Sequence, residues 1–62
     1  MLKMIEVVGT SDQSWAAAAK SAVEKLLAAG EKVHFFVLLE DRGGVKGGKV
    51  EFQSIVKVAV EG

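Results

Sequence analysis

The sequence predicts an α+β fold of β-α-β-β order, a three-stranded antiparallel sheet wrapped around one helix, and three observations predict it. The stretch Val33 to Leu39 is rich in β-branched and aromatic residues, and polar residues bound it at the length of one strand. A long alanine-rich run with apolar residues at helical spacing precedes it. The final stretch, Lys49 to Glu61, alternates apolar and polar residues, and the glycine-rich run before it makes a hairpin of the last two strands.

Leu2 to Val8 reads as the first strand, with Lys3, Ile5 and Val7 on one face and Met4, Glu6 and Val8 on the other. Gly9 is expected to break it. Thr10 and Ser11 then offer hydroxyl caps for a helix starting near Asp12; Thr10 with Gln13 fits the capping-box spacing, and Asp12 puts a carboxylate where the helix dipole favours it. The helix is predicted to run to about Ala29, with Gly30 taking the left-handed position beyond it. Such a helix is about 27 Å long, matching strands of eight or nine residues. Trp15, Ala19, Ala22, Val23 and Leu26 form its buried stripe, opposite Ala17, Lys20 and Glu24. In this reading Trp15 is core, filling volume near the helix start, rather than a ligand-stacking residue.

The second strand runs from Val33 to about Asp41, and strict alternation puts Val33, Phe35, Val37 and Leu39 on one face and His34, Phe36 and Leu38 on the other. Both faces are apolar. One helix covers only one of them, so the other asks for a partner subunit, a ligand, or both. The run Arg42 to Gly48 holds four glycines and reads as the hairpin turn. It has neither a dinucleotide nor a Walker pattern and no helix after it, which argues against a phosphate loop. In the third strand Val50, Phe52, Ser54, Val56, Val58 and Val60 are expected to face the helix, leaving Gln53 and Ile55 on the far side. Periodicity leaves open whether the first strand lies beside the second or the third.

The chain has 62 residues, no Cys, no Pro and a formal net charge of zero. It is read as one domain, residues 1–62. A chain so short buries only about 60% of its unfolded surface, and with no Cys and one His neither disulfide nor structural zinc compensates, so the composition favours an obligate homo-oligomer. Balanced charge leaves no electrostatic footprint for nucleic acid, and no segment reaches the length of a membrane span. A cytoplasmic protein is expected.

No catalytic constellation emerges, and the sequence predicts no enzyme. His34 has no Cys to activate, and Ser11, Ser14, Ser21 and Ser54 fall in no nucleophile setting, so His34 reads as a structural or interface residue. Glu40 and Asp41 stand together next to Arg42; they read as a solvated turn, although oxygen-rich loops of this type hold hard cations at subunit contacts.

Two runs carry a family resemblance. Val7, Val8, Gly9, Thr10 and Ser11, followed by Ser14, Trp15 and two alanines, resemble the opening of dodecins, small flavin-binding proteins that assemble into hollow spheres of twelve subunits. Arg42 to Val50, followed by Phe52, Gln53, Val56, Lys57 and Val58, resemble the dodecin hairpin and last strand. The similarity covers nearly the whole chain. It implies a β-α-β-β subunit in a hollow homododecamer, with a flavin, riboflavin or FMN, stacked between aromatic side chains at subunit contacts. In flavin-binding dodecins a tryptophan on the second strand stacks on the isoalloxazine ring and a glutamine on the third bonds its polar edge; by resemblance these positions fall on Phe35 and Gln53. Val37 stands where these dodecins often carry a glutamate, and the third strand is one residue shorter between Val50 and Gln53. The resemblance sends Phe35 to the ligand side, and Phe36 and Leu38 to the helix. The Ser14–Trp15 pair is also similar to a second subgroup, the calcium-binding dodecins.

Two readings follow. In one, the chain is a non-enzymatic flavin-storage protein with Phe35, Val37 and Gln53 at its binding site. In the other, it is a flavin-free assembly with a structural or cation-binding role, in which Phe35 and its neighbours pack against themselves across subunits.

Overall fold

A computed structural model describes residues 1–62, and its elements follow the order β1 (Leu2–Ser11), α1 (Trp15–Ala28), β2 (Val33–Lys46) and β3 (Lys49–Glu61). All three strands form one antiparallel sheet in the order β1-β3-β2, so β3 is central. The helical connection therefore returns β1 to the far side of the hairpin's last strand.

The first strand does not end at Gly9. It continues through Gly9, Thr10 and Ser11, which pair with Ser54, Gln53 and Phe52. Gly9 is buried under the helix, where its missing side chain is a packing requirement rather than a break. Since Thr10 belongs to the strand, it caps nothing. The cap is Ser14, extended at φ −168° and ψ 166°, whose Oγ accepts from the Ala17 N–H at 3.0 Å. Ser11 Oγ accepts from the Gln13 N–H in the intervening turn, and Asp12 precedes the helix rather than entering its first turn. At the other end Gly30 takes φ +88°, and the N–H groups of Gly30 and Glu31 donate to the Leu27 and Leu26 carbonyls at 3.0 Å each. This is the paired closure that a left-handed glycine permits.

The helix packs Ala19, Ala22 and Val23 on Val56, Val58 and Val60 of the central strand, with Ile5, Val7, Leu26 and Val33 at the margin. Each buried valine contributes about 1.5–3 kcal/mol of transfer free energy. Small alanines let the helix come close, so Trp15 is excluded from this core. It lies half-exposed at the helix start, its ring edge-on to Phe52 with centroids 4.8 Å apart and its Nε1–H donating to the Arg42 carbonyl at 2.9 Å.

The second strand departs from strict alternation twice. Pairing slips between Val33 and Phe35, and again between Leu38 and Glu40, so His34 and Leu39 are the extra residues of two bulges. Val33 consequently turns toward the helix while Phe35 and Val37 face away, and the four residues expected on one face are divided. The strand also runs to Lys46; Gly43 and Gly44 are strand residues, and the turn is Gly47–Gly48 alone, at φ +59° and +77°. Two consecutive positive φ values suit the right-handed twist of the flanking strands. From Arg42–Gln53 to Lys46–Lys49 the pairing is continuous, so the stretch between Val50 and Gln53 carries no bulge.

Candidate functional site

The face of the sheet turned away from α1 is uncovered. Reading across the registers, β1 contributes Leu2, Met4, Glu6, Val8 and Thr10, β3 the odd positions Glu51 to Glu61, and β2 Phe35, Val37, Glu40, Arg42 and Gly44. Leu2, Met4, Val8, Phe35 and Val37 each stay about half-exposed, Phe35 at 50%. A contiguous apolar surface of this kind marks a binding or assembly face. Charged side chains interrupt it: Glu6 and Lys57 lie in one cross-strand row with Val37, Glu40 and Arg42 stand farther along β2 toward the hairpin, and Glu51 and Glu61 lie toward the two ends of β3.

Phe35, Val37 and Gln53 all lie on this face. Phe35 pairs with Ala59, Val37 with Lys57, and Gln53 with Arg42 on one side and Thr10 on the other. Phe35 and Val37 are neighbours. Gln53, however, lies six positions along β3 from the partner of Phe35, roughly 20 Å away at a strand's rise per residue. One tricyclic ring cannot touch both residues of one chain, so a site using both draws them from different subunits.

Phe36 and Leu38 go to the other face. With Ala19, Val23 and Leu27 of the helix they line an apolar groove of about 420 Å³ between α1 and β2. The helix sits over β1 and β3 and leaves this side of β2 half-covered.

Gln53 is held at both ends of its amide: Arg42 Nε donates to its Oε1 at 2.8 Å, and its Nε2 donates to Glu51 Oε1 at 2.9 Å. Sequence reasoning missed these two contacts. Arg42 stands eleven residues from Gln53, and only the hairpin register brings them opposite each other. Glu51 was within reach as a same-face neighbour two positions away.

Glu40 and Asp41 do not combine. Downstream of the Leu39 bulge Glu40 pairs with Ile55 and lies on the open face, whereas Asp41 pairs with Ser54 and turns under the sheet. There its Oδ1 accepts from the fully buried Ser54 hydroxyl at 2.9 Å. Within one chain no group of three or more His, Cys, Asp or Glu side chains converges. His34 Nε2 lies 2.7 Å from Glu61 Oε2, tying the start of β2 to the end of β3, and the terminal ammonium lies 3.8 Å from the same carboxylate. No helix is long and apolar enough to cross a membrane.

Comparison with known proteins agrees with this geometry. Among curated proteins no match is found. Among solved structures, a tryptophan-to-phenylalanine mutant of the Thermus thermophilus dodecin is 30% identical, superposes with a TM-score of 0.85, and is matched over 97% of this chain and 91% of that one. The calcium dodecin of Mycobacterium tuberculosis, a calcium-chelating immunodominant antigen, is 27% identical with a TM-score of 0.84, over 95% and 86% of the two chains. The dodecin of Streptomyces davaonensis, at 21% identity and a TM-score of 0.85 over 97% and 90%, shares the fold. The family model described as Dodecin matches residues 1–61, and on that match the chain belongs to the dodecin family.

Proposed function

We propose that residues 1–62 form a single domain that assembles into a hollow homododecamer and binds a flavin, riboflavin or FMN, without catalysing a reaction on it. Phe35 stacks on the isoalloxazine ring at a contact between symmetry-related subunits, Val37 packs beside it, and Gln53 of another subunit bonds the ring's polar edge. The observation that carries this reading is the uncovered sheet face, with Phe35 half-exposed on it and Gln53 roughly 20 Å along the same face. An aromatic ring and an amide so disposed are of use to one ligand only when subunits bring them together. Dodecin family membership supports both assembly and flavin.

The phenylalanine offers a π face smaller than an indole's, so stacking is retained with less contact area. Mixing the protein with riboflavin or FMN tests the reading: flavin fluorescence is quenched at micromolar protein, and light scattering gives the mass of twelve chains. An unquenched flavin, or a monomer in solution, overturns it.

Similarity to a calcium dodecin favours a second reading, a flavin-free assembly that holds a divalent cation at subunit contacts. Glu40, on the open face with no partner in its own chain, is the carboxylate available for it. Calorimetric titration with calcium, on protein that purifies colourless, separates the two.

A further inference from the structure

The Gln53 amide lies between groups of opposite charge. Arg42, its cross-strand neighbour, donates to Oε1, and Nε2 donates to the carboxylate of Glu51 on the same strand and face. Turned end for end, the amide would put its nitrogen against the guanidinium and its oxygen against the carboxylate, and both contacts would become repulsive. A glutamine on an open sheet ordinarily presents either end; this one has a single favourable orientation, fixed by two charge-assisted bonds.

A primary amide has two N–H donors and two acceptor lone pairs. With one of each engaged, one N–H and one lone pair remain for a ligand. Gly44, the cross-strand partner of Glu51, puts no side chain beside the nitrogen end; a Cβ built there would stand 3.5 Å from Nε2, in ordinary van der Waals contact.

We propose that Arg42 and Glu51 are positioning residues that hold the Gln53 carboxamide in one orientation, so that it selects ligands whose ring edge carries an N–H beside a carbonyl, as an imide or lactam does. The carbonyl is read by the end nearer Glu51 and the N–H by the end nearer Arg42. The choice of ligand class rests on the flavin reading of this face, because the pyrimidine half of isoalloxazine has such an edge; the orientation lock itself does not.

The sequence makes the lock directly observable. Gln13 and Gln53 are the chain's only side-chain amides and Arg42 its only arginine, so an ¹⁵N spectrum holds two NH₂ pairs and one arginine Nε–H. Gln13→Ala assigns the pairs. In ligand-free protein the Gln53 pair is displaced from the position of an exposed glutamine and the Arg42 Nε–H exchanges slowly. Arg42→Ala returns the Gln53 pair to the exposed position, and Arg42→Lys, which keeps a cationic donor, restores part of the displacement. A Gln53 pair already at the exposed position in the unaltered protein overturns the proposal. In riboflavin titrations Arg42→Ala weakens binding about tenfold, and Arg42→Ala combined with Gln53→Ala is no weaker than Gln53→Ala alone. Losses that multiply would show Arg42 acting independently of Gln53 and overturn it as well. A displaced Gln53 pair in a protein that quenches no riboflavin leaves the lock standing and removes the flavin reading instead.

Discussion

A Cβ built on Gly9 would stand 1.9 Å from the carbonyl oxygen of Ala18, and 2.8 Å from both the amide nitrogen and the methyl of Ala22. All but the methyl are helix backbone, so no rotamer change relieves the overlap. Gly9→Ala therefore forces the helix off the sheet, and overpacking of this kind costs about 3 kcal/mol or more. Chemical denaturation at fixed protein concentration checks it, because the midpoint of an assembling chain depends on concentration.

The helix start is tested by a pair of substitutions. Ser14→Ala removes the side-chain acceptor for the Ala17 N–H and is expected to cost about 1 kcal/mol, the usual value of an N-cap. Thr10→Ala, at a strand position paired with Gln53, changes helix stability little. Equal losses from both would return the cap to Thr10.

What the sequence could and could not disclose follows from the same places. The element order, the buried valines at 56, 58 and 60 and the left-handed Gly30 were legible, because each rests on local pattern. Gly9 was misread because punctuation and close packing call for the same residue, and only the helix position distinguishes them. The helix cap moved from Thr10 to Ser14 because β1 has enough partners on β3 to continue to Ser11. Alternation failed in β2 because it assumes a period of two, while the bulges at His34 and Leu39 let the strand bend and reassign Val33 to the helix side. Trp15 carried a helical spacing that suits a core, yet the alanine-lined interface is too close for an indole. Of the candidate site, the shared face of Phe35, Val37 and Gln53 was within reach of the sequence. The amide's two charged partners were not, since they depend on hairpin register.

The hairpin turn should discriminate its two glycines. Both hold positive φ, and an Asn-Gly pair suits such a turn, so Gly47→Asn is tolerated at little cost. Gly48→Val puts a β-branched residue at φ +77° and costs about 1–2 kcal/mol from the left-handed backbone alone. Thermal melts of the two variants, run side by side, order them; a Gly47→Asn loss as large as that of Gly48→Val would contradict the turn geometry.

Trp15 ties the helix start to β2 through the Arg42 carbonyl rather than through the core. Trp15→Phe retains an edge-on aromatic contact with Phe52 and gives up only the hydrogen bond, so a loss of about 1 kcal/mol is expected. Trp15→Ala forfeits the ring pair as well, and its additional loss is about 0.5–1.5 kcal/mol beyond area burial. Denaturant midpoints followed by far-ultraviolet circular dichroism, which does not need the tryptophan as a probe, measure both.

On the proposed flavin reading, residue 35 sets the strength of ligand stacking without holding the subunit together. Its side chain lies on the open face, half-exposed, while the fold rests on the opposite face through Val56, Val58 and Val60. Replacement by tryptophan extends the π surface and is worth about 1 kcal/mol on the scale of aromatic pairs, which corresponds to riboflavin binding about fivefold tighter. Replacement by alanine removes the ring and weakens binding by at least as much. Neither change disturbs the core, so circular dichroism is unaltered and the particle mass from light scattering is expected to be unchanged in both variants. The paired measurement separates a ligand contact from a subunit contact: if Phe35→Ala dissolves the assembly while riboflavin quenching was absent from the start, the ring at residue 35 packs against its symmetry mates and the flavin has no place on this face.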